Sequence, residues 1–377
     1  MTSRSRIVPV VLVVLIAGLM AAGVSTALGR RRDAPRALDP SMAAVVAELE
    51  AFVESTRGLR FREPVKVSVL GDAAFRRALS GGEPLKALDA DVEAGVLRAL
   101  GLVDPTDDLD AAGALDGDSV AGFYDTDTKE LVVRGGRLTP FVRQVVVHEL
   151  THALDDQHFD LDPDLADDDA ALAFDALVEG DAVTVERRYV ESLSAAERRE
   201  AEAEEDATFA GADVGDVPGI YLDLGDFPYV DGPDLVAALL AAGGLARLDA
   251  AFRSPPTTSA EVLHPARYLA GRGRARVPEV RAGGRVVDEG VVGEYVLRLM
   301  LGESWPDDQA GRAAEGWAGD SYVAWRTGKR MCVRATVVMD SDVEAAELVT
   351  GLRKWAADHP GANVEPAPAA VTFLRCA

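Results

Sequence analysis

The sequence predicts an α+β protein, and three observations carry that expectation. Apolar residues recur at helical spacing over most of the 377 residues, as at Ala43, Val46, Leu49 and Phe52. Short β-branched runs at 65–70, 120–124 and 131–134 interrupt that pattern early. A second β-rich pair, 330–339 and 370–376, closes the chain around a helical stretch at 342–359. The length suffices for one large core or two smaller ones, and no internal repeat is visible.

Taken in order, residues 7–28 are almost wholly apolar and follow Arg4 and Arg6. At ~1.5 Å per residue they would span ~33 Å, enough to cross a bilayer. The reading is a single-pass anchor with the remainder extracytoplasmic. Ser25-Thr-Ala27 keeps a cleaved signal peptide, and so a secreted protein, as the alternative. Residues 1–40 are then anchor and linker, 41–206 a metal-binding core, 207–328 a mainly helical second part, and 329–377 a small C-terminal α/β unit.

Within these, helices are expected at 41–57, 72–79 and 90–100, and a strand–turn–strand at 120–134. Residues 169–205 read as one long helix or two joined ones. The Gly-, Asp- and Pro-rich stretch 211–233 reads as an ordered loop or junction. Helices follow at 233–252 and 291–301, with a break at 254–259. Cys332 and Cys376 lie on the two C-terminal strands, close enough for a disulfide if those strands are neighbours, which would agree with export. A formal charge of −24 and a pI near 4.6 argue against nucleic acid as a partner. Oligomeric state is not legible.

The chemistry concentrates in His148-Glu149-x-x-His152. On a helix, positions i and i+4 share a face, so both imidazoles reach one ion. Glu149 is turned ~100° from His148, beside the ion, as suits a general base acting on water. Thr139 and Pro140 announce the helix start, and the apolar run 141–147 follows. A chain with five histidines places two of them in this pattern, which points to zinc. Catalytic zinc takes three protein ligands and keeps a position for water.

Two residues compete for the third place. His158 has the right spacing for a metzincin plan, but Asp155 stands where glycine would turn the chain back. Continued helix would carry His158 about 600° past His152. Glu179 shares a helical face with Leu172, Ala176 and Val183, and Gly180 beside it marks the close approach of another helix. Glu179 is preferred.

The stretches His148-Glu-Leu-Thr-His-Ala-Leu-Asp-Asp-Gln-His-Phe-Asp160 and Ala176-Leu-Val-Glu-Gly-Asp-Ala182 resemble the gluzincin group of zinc metallopeptidases. More closely, they resemble largely uncharacterised exported bacterial proteins of that group. Phe227-Pro-Tyr229, Pro255-Pro256, Leu263-His-Pro265 and Gly316-Trp-Ala-Gly-Asp320 extend the likeness without known roles. The resemblance implies a zincin-like fold, ligands His148, His152 and Glu179, catalytic Glu149, and hydrolysis of peptide or protein amide bonds. Gluzincins often add a His or Tyr that hydrogen-bonds the developing oxyanion, and His264 or Tyr268 is the candidate. Asp156 or Asp181 is a candidate to orient a ligating imidazole. Residues 131–134 could be an edge strand that holds the substrate main chain, as in zinc peptidases, and a plain buried hairpin explains them equally well. The competing function is an inactive, zinc-stabilised binding or assembly module of the cell envelope.

Overall fold

A computed structural model describes residues 39–79, 90–107, 109, 120–210 and 217–377. The apolar stretch 7–28 lies outside them. The fold is mixed α+β. Helix α1 (Pro40–Arg57) is capped by Asp39, whose carboxylate accepts from the Ser41 and Met42 N–H groups. Strand β1 (Lys66–Leu70), helices α2 (Asp72–Leu79) and α3 (Ala90–Leu100), and the hairpin β2 (Gly122–Asp125) and β3 (Glu130–Arg134) follow. The three strands form one sheet in the order β1-β3-β2, with β1 parallel and β2 antiparallel to β3.

For 131–134 that order sets aside the edge-strand expectation and agrees with the buried hairpin. Strand β3 is the central strand with both sides paired, and among the described strands the free side belongs to β2. An apolar run reveals that a segment is a buried strand, but not which neighbours claim it.

Helix α4 (Pro140–His158) lies under this sheet, and α1, α5 (Asp168–Ser192) and α6 (Ala195–Phe209) pack around it. One apolar core joins them through Leu49, Val53, Leu131, Val146, Leu150 and Val185. Residues 169–205 are therefore two helices, separated at Leu193 and restarted by a capping box at Ser194 and Glu197. Residues 219–230 correct a second expectation, because they form helix α7 (Gly219–Val230) with Pro228 inside it. Burial of Ile220, Phe227 and Tyr229 overrides the local Gly, Asp and Pro signal.

Helix α8 (Gly232–Arg253) leaves helical geometry at Gly243 and Gly244. The stretch Gly219–Arg253 is long and apolar enough to cross a membrane by length and composition, a test that a core helix also passes. Short helices α9 (Ser259–Leu263) and α10 (Pro265–Leu269) lead to the C-terminal part.

There, β4 (Val286–Gly290), α11 (Gly293–Gly302), α12 (Asp307–Ala314), β5 (Trp317–Thr327), β6 (Arg330–Met339), α13 (Asp342–Asp358), β7 (Asn363–Ala367) and β8 (Ala370–Cys376) complete the chain. Their five-stranded sheet has the order β4-β5-β6-β8-β7, wholly antiparallel. The two cysteine-bearing strands are half of a larger layer that begins at β4. Cys332 faces Cys376 in register and is bonded to it. Helices α3, α11, α12 and α13 cover one face around Trp317, Leu348 and Trp355.

Candidate metal centre

Helix α4 begins where the sequence announces it: the Thr139 hydroxyl oxygen accepts the Val142 N–H, and Pro140 fills the first turn. Because α4 is enclosed by the sheet, α1, α5 and α6, even its polar residues are buried. His148 and Glu149 have no exposed surface, and His152 is 7 % exposed. The two rings stand 4.8 Å apart edge to face.

Helix α5 brings Glu179 against them. Its Oε2 lies 3.1 Å from His148 Nε2 and 3.4 Å from His152 Nε2. One donor atom from each of the three residues falls within 4.8 Å of the others, a grouping able to hold a metal ion. Burial works against the Glu179 charge, but His152 and His148 more than offset it and hold the carboxyl at about 2. Two imidazole nitrogens and one carboxylate oxygen, presented by two helices, fit a divalent cation of intermediate softness.

The close packing of α5 depends on glycine. A Cβ on Gly180 would run into the Gly232 backbone at the start of α8, and one on Gly232 would run into Ala176 O. This is the close helix approach expected beside Glu179.

Glu149, next to His148 on α4, is close enough for the charges of both histidines and of Glu179 to act on it. Neither of its buried carboxylate oxygens has a well-formed hydrogen bond, although the Tyr124 N–H lies close enough to favour the charged form. Burial raises its pKa, with His152 and His148 pulling the other way. A buried carboxylate without a well-formed hydrogen bond is costly unless something else occupies its lone pairs in the working protein.

Two further residues belong to the centre and were not singled out from the sequence. Glu186 accepts from His148 Nδ1–H at 2.8 Å, while its other oxygen accepts from Gln144 Nε2 at 2.7 Å. Glu186 stands two turns beyond Glu179 on the same face of α5, a spacing that could have pointed to it. Although burial opposes its charge, hydrogen bonds to Glu179 and Glu186 raise the His148 pKa well above the usual imidazole range. Tyr229, 5 % exposed, stacks on His148 with centroids 6.3 Å apart, and its hydroxyl bonds Glu179. The Phe-Pro-Tyr motif gave no hint of that contact.

The other candidates lie elsewhere. His158 donates from Nε2 to Arg60 O at 2.8 Å. His264 pairs with Glu294 Oε1 at 2.7 Å, and Tyr268 donates to Ser254 O at 2.7 Å. Asp156 binds the Tyr124 hydroxyl and Lys129 Nζ, each at 2.7 Å. Asp181 contacts Arg57 Nε at 2.6 Å, and Asp155 and Asp249 share Arg57 Nη2 at 3.0 and 3.3 Å. Burial opposes the Arg57 charge, and these three carboxylates more than restore it. This ion cluster ties α1, α4, α5 and α8 together behind the histidine pair.

Residues 279–374, the five-stranded sheet and its helices, match a family model described as a domain of unknown function, DUF8575. No curated protein and no solved structure matches the chain.

Proposed function

We propose that the protein is a zinc metallopeptidase of zincin type, hydrolysing peptide or protein amide bonds outside the cytoplasm. One observation supports this above the rest: Glu149, fully buried and without a well-formed hydrogen bond to either carboxylate oxygen, lies close enough to the convergent His148, His152 and Glu179 for their charges to act on it. Zinc bound by those three residues supplies Lewis-acid chemistry, acidifying water and polarising the scissile carbonyl.

The chain's own residues do the rest. Glu149 accepts the proton of the attacking water and returns it to the leaving amine, a cycle helped by its raised pKa. The candidate to donate to the developing oxyanion is the Tyr229 hydroxyl, which would have to leave Glu179 to do so, rather than His264, which is paired with Glu294. Strand β2 takes the part expected of β3. Arg134 N–H donates to Ala121 O, so antiparallel alternation turns the Gly122 and Tyr124 peptide groups to the free side of the sheet. There the Gly122 peptide group can pair with a substrate main chain, while the Tyr124 N–H is turned toward Glu149. Residues 7–28 are the proposed tether, and the Cys332–Cys376 bond supports an oxidising compartment.

Near-complete burial of the centre favours a second reading, a binding module in which the metal only ties α4 to α5. Glu149→Gln separates the two. It keeps size and hydrogen bonding but cannot take the proton, so the variant should bind one zinc per chain and lose ~10²- to 10⁴-fold in peptide hydrolysis. Equal cleavage by variant and wild type would sink the mechanism. No cleavage of a broad peptide library by the zinc-loaded wild type would favour the module.

A further inference from the structure

Two segments meet at one end of the C-terminal sheet, on the face opposite α13: residues 279–286 and the turn between β5 and β6. The buried ring of Trp325 joins them. The backbone of Gly283 and Gly284 lies against that ring, so closely that a Cβ on Gly284 would stand 2.9 Å from Trp325 Cδ1. Val286 pairs with Trp325 in register. Arg334 on β6 lies over the same ring, 5.6 Å from its centroid, and donates to Arg281 O. Gly328 and Lys329 then turn β5 into β6, with Arg330 opposite Thr327 and Arg326 opposite Met331.

This corner is basic. It gathers Arg281, Arg285, Arg326, Lys329, Arg330 and Arg334, all exposed except the partly buried Arg334. Within 279–286 and 326–334 the one acid is Glu279, which is exposed and 3.9 Å from Arg281. The other five cations form no ion pair among the described residues. Along β4 the next acid turned to this face is Glu289, opposite Val323 and two residues farther from the turn. Such a concentration of positive charge runs against a chain of 39 basic and 63 acidic residues. Val286 adds an apolar group at its centre. At 40 % exposure it is one of three exposed large hydrophobic residues among those described.

We propose that this corner docks on the anionic phospholipid surface of a bilayer. Clustered Lys and Arg side chains complement the phosphate headgroups, and an exposed valine among them can enter the boundary with the acyl chains. That valine favours a bilayer over nucleic acid, which offers it no apolar layer. The net charge of −24 repels the body of the protein from the same surface, so the corner would fix the orientation in which it approaches. The proposed tether at 7–28 would keep the bilayer within reach, and two weak attachments on one chain hold more firmly than either alone. Docking does not depend on catalysis, and it would serve a peptidase and a binding module alike.

The test mixes the full-length protein with phosphatidylcholine vesicles, with or without phosphatidylglycerol, and reads backbone hydrogen exchange by mass spectrometry. Amides in 279–286 and 326–330 should exchange more slowly with the anionic vesicles than with the neutral ones, while α5 should not differ. An apolar segment inserts in either lipid, so the difference reports the corner. Each Lys or Arg near an anionic surface strengthens binding roughly fivefold. The combined variant Arg326→Glu, Lys329→Glu and Arg330→Glu should therefore lose the protection, whereas Arg326→Lys with Arg330→Lys should keep it. These side chains are exposed, and unchanged exchange elsewhere would show that both variants fold. Equal exchange in the two lipids, or protection that survives the three charge reversals, overturns the proposal. Stronger protection by duplex DNA than by anionic vesicles at the same salt would also overturn it and assign the corner to nucleic acid. Peptide hydrolysis is read separately, so either result leaves the peptidase reading to its own test.

Discussion

Glu179 and His158 compete for one coordination position in the sequence, and their surroundings separate them. Glu179 Oε2 touches both imidazoles, whereas the His158 ring is spent on Arg60 O at the helix end. Glu179→Ala should therefore lose most bound zinc, and His158→Ala should retain it, read by metal analysis after gel filtration. The reverse result would move the third ligand to the metzincin plan. Glu186 is the residue most open to a second test, since its bond to Nδ1 fixes the face that His148 turns to the metal. Glu186→Ala should weaken zinc binding ~10- to 100-fold with the fold intact, and an unchanged affinity in a competition titration would show that the bond does not orient the ring. The histidine pair was legible because helical spacing puts both rings on one face, and Glu179 because an acid on an apolar helical face beside Gly180 has no bland explanation and fits the gluzincin resemblance. Arg57 was not, because its partner Asp155 is 98 residues away and nothing local marks α1 as buried there.

At the level of elements, the centre depends on how closely α5 and α8 cross. Gly180 and Gly232 meet backbone to backbone, with no flexible side chain to yield. Gly180→Ala should improve local helix propensity by ~1 kcal/mol yet destabilise the protein, because overpacking costs ~1 to 3 kcal/mol and here displaces the helix that carries Glu179. Differential scanning calorimetry should show a lower Tm, and zinc affinity should fall with it. A raised Tm would mean that the crossing has slack. This approach was readable from a glycine inside an apolar helical pattern. Strand β5 was not, because nearly all of Trp317–Thr327 is buried on both faces and the period-two alternation that marks a half-exposed strand is missing. Helix α7 escaped for the opposite reason: its composition signals a loop, and Ile220, Phe227 and Tyr229, packed in three different cores, hold it helical.

Across the whole molecule, the C-terminal sheet and the helices of the candidate metal centre are joined at a buried acidic junction. Asp320 on β5 accepts from the Val292 and Gly293 N–H groups and from Trp317 Nε1–H. Asp169, in the first turn of α5, accepts from Ser259 N–H and crowds Gly293 so closely that a Cβ there would collide with it, while Gly293 holds a φ of +77°. Burial is the main reason that the Asp169 carboxyl stands at about 6 against an ordinary 3.8, with Ser259 and Arg274 opposing and Asp320 adding to the rise. Between roughly pH 4 and pH 6 the folded protein keeps a proton here that the unfolded chain has released. The folded state binds more protons in that window, so this group's contribution to stability falls as pH rises through it and is fully lost above ~6. At ~1.4 kcal/mol per unit the loss is roughly 3 kcal/mol. Asp169→Asn cannot ionise, and its amide preserves an acceptor for Ser259 N–H. The variant should therefore gain on wild type as pH rises from 4 to 7, measured as the difference in urea unfolding free energy at each pH. A difference that is flat over that range, or one that shrinks as pH rises, would show that Arg274 already neutralises Asp169 and that the junction holds at full strength at neutral pH.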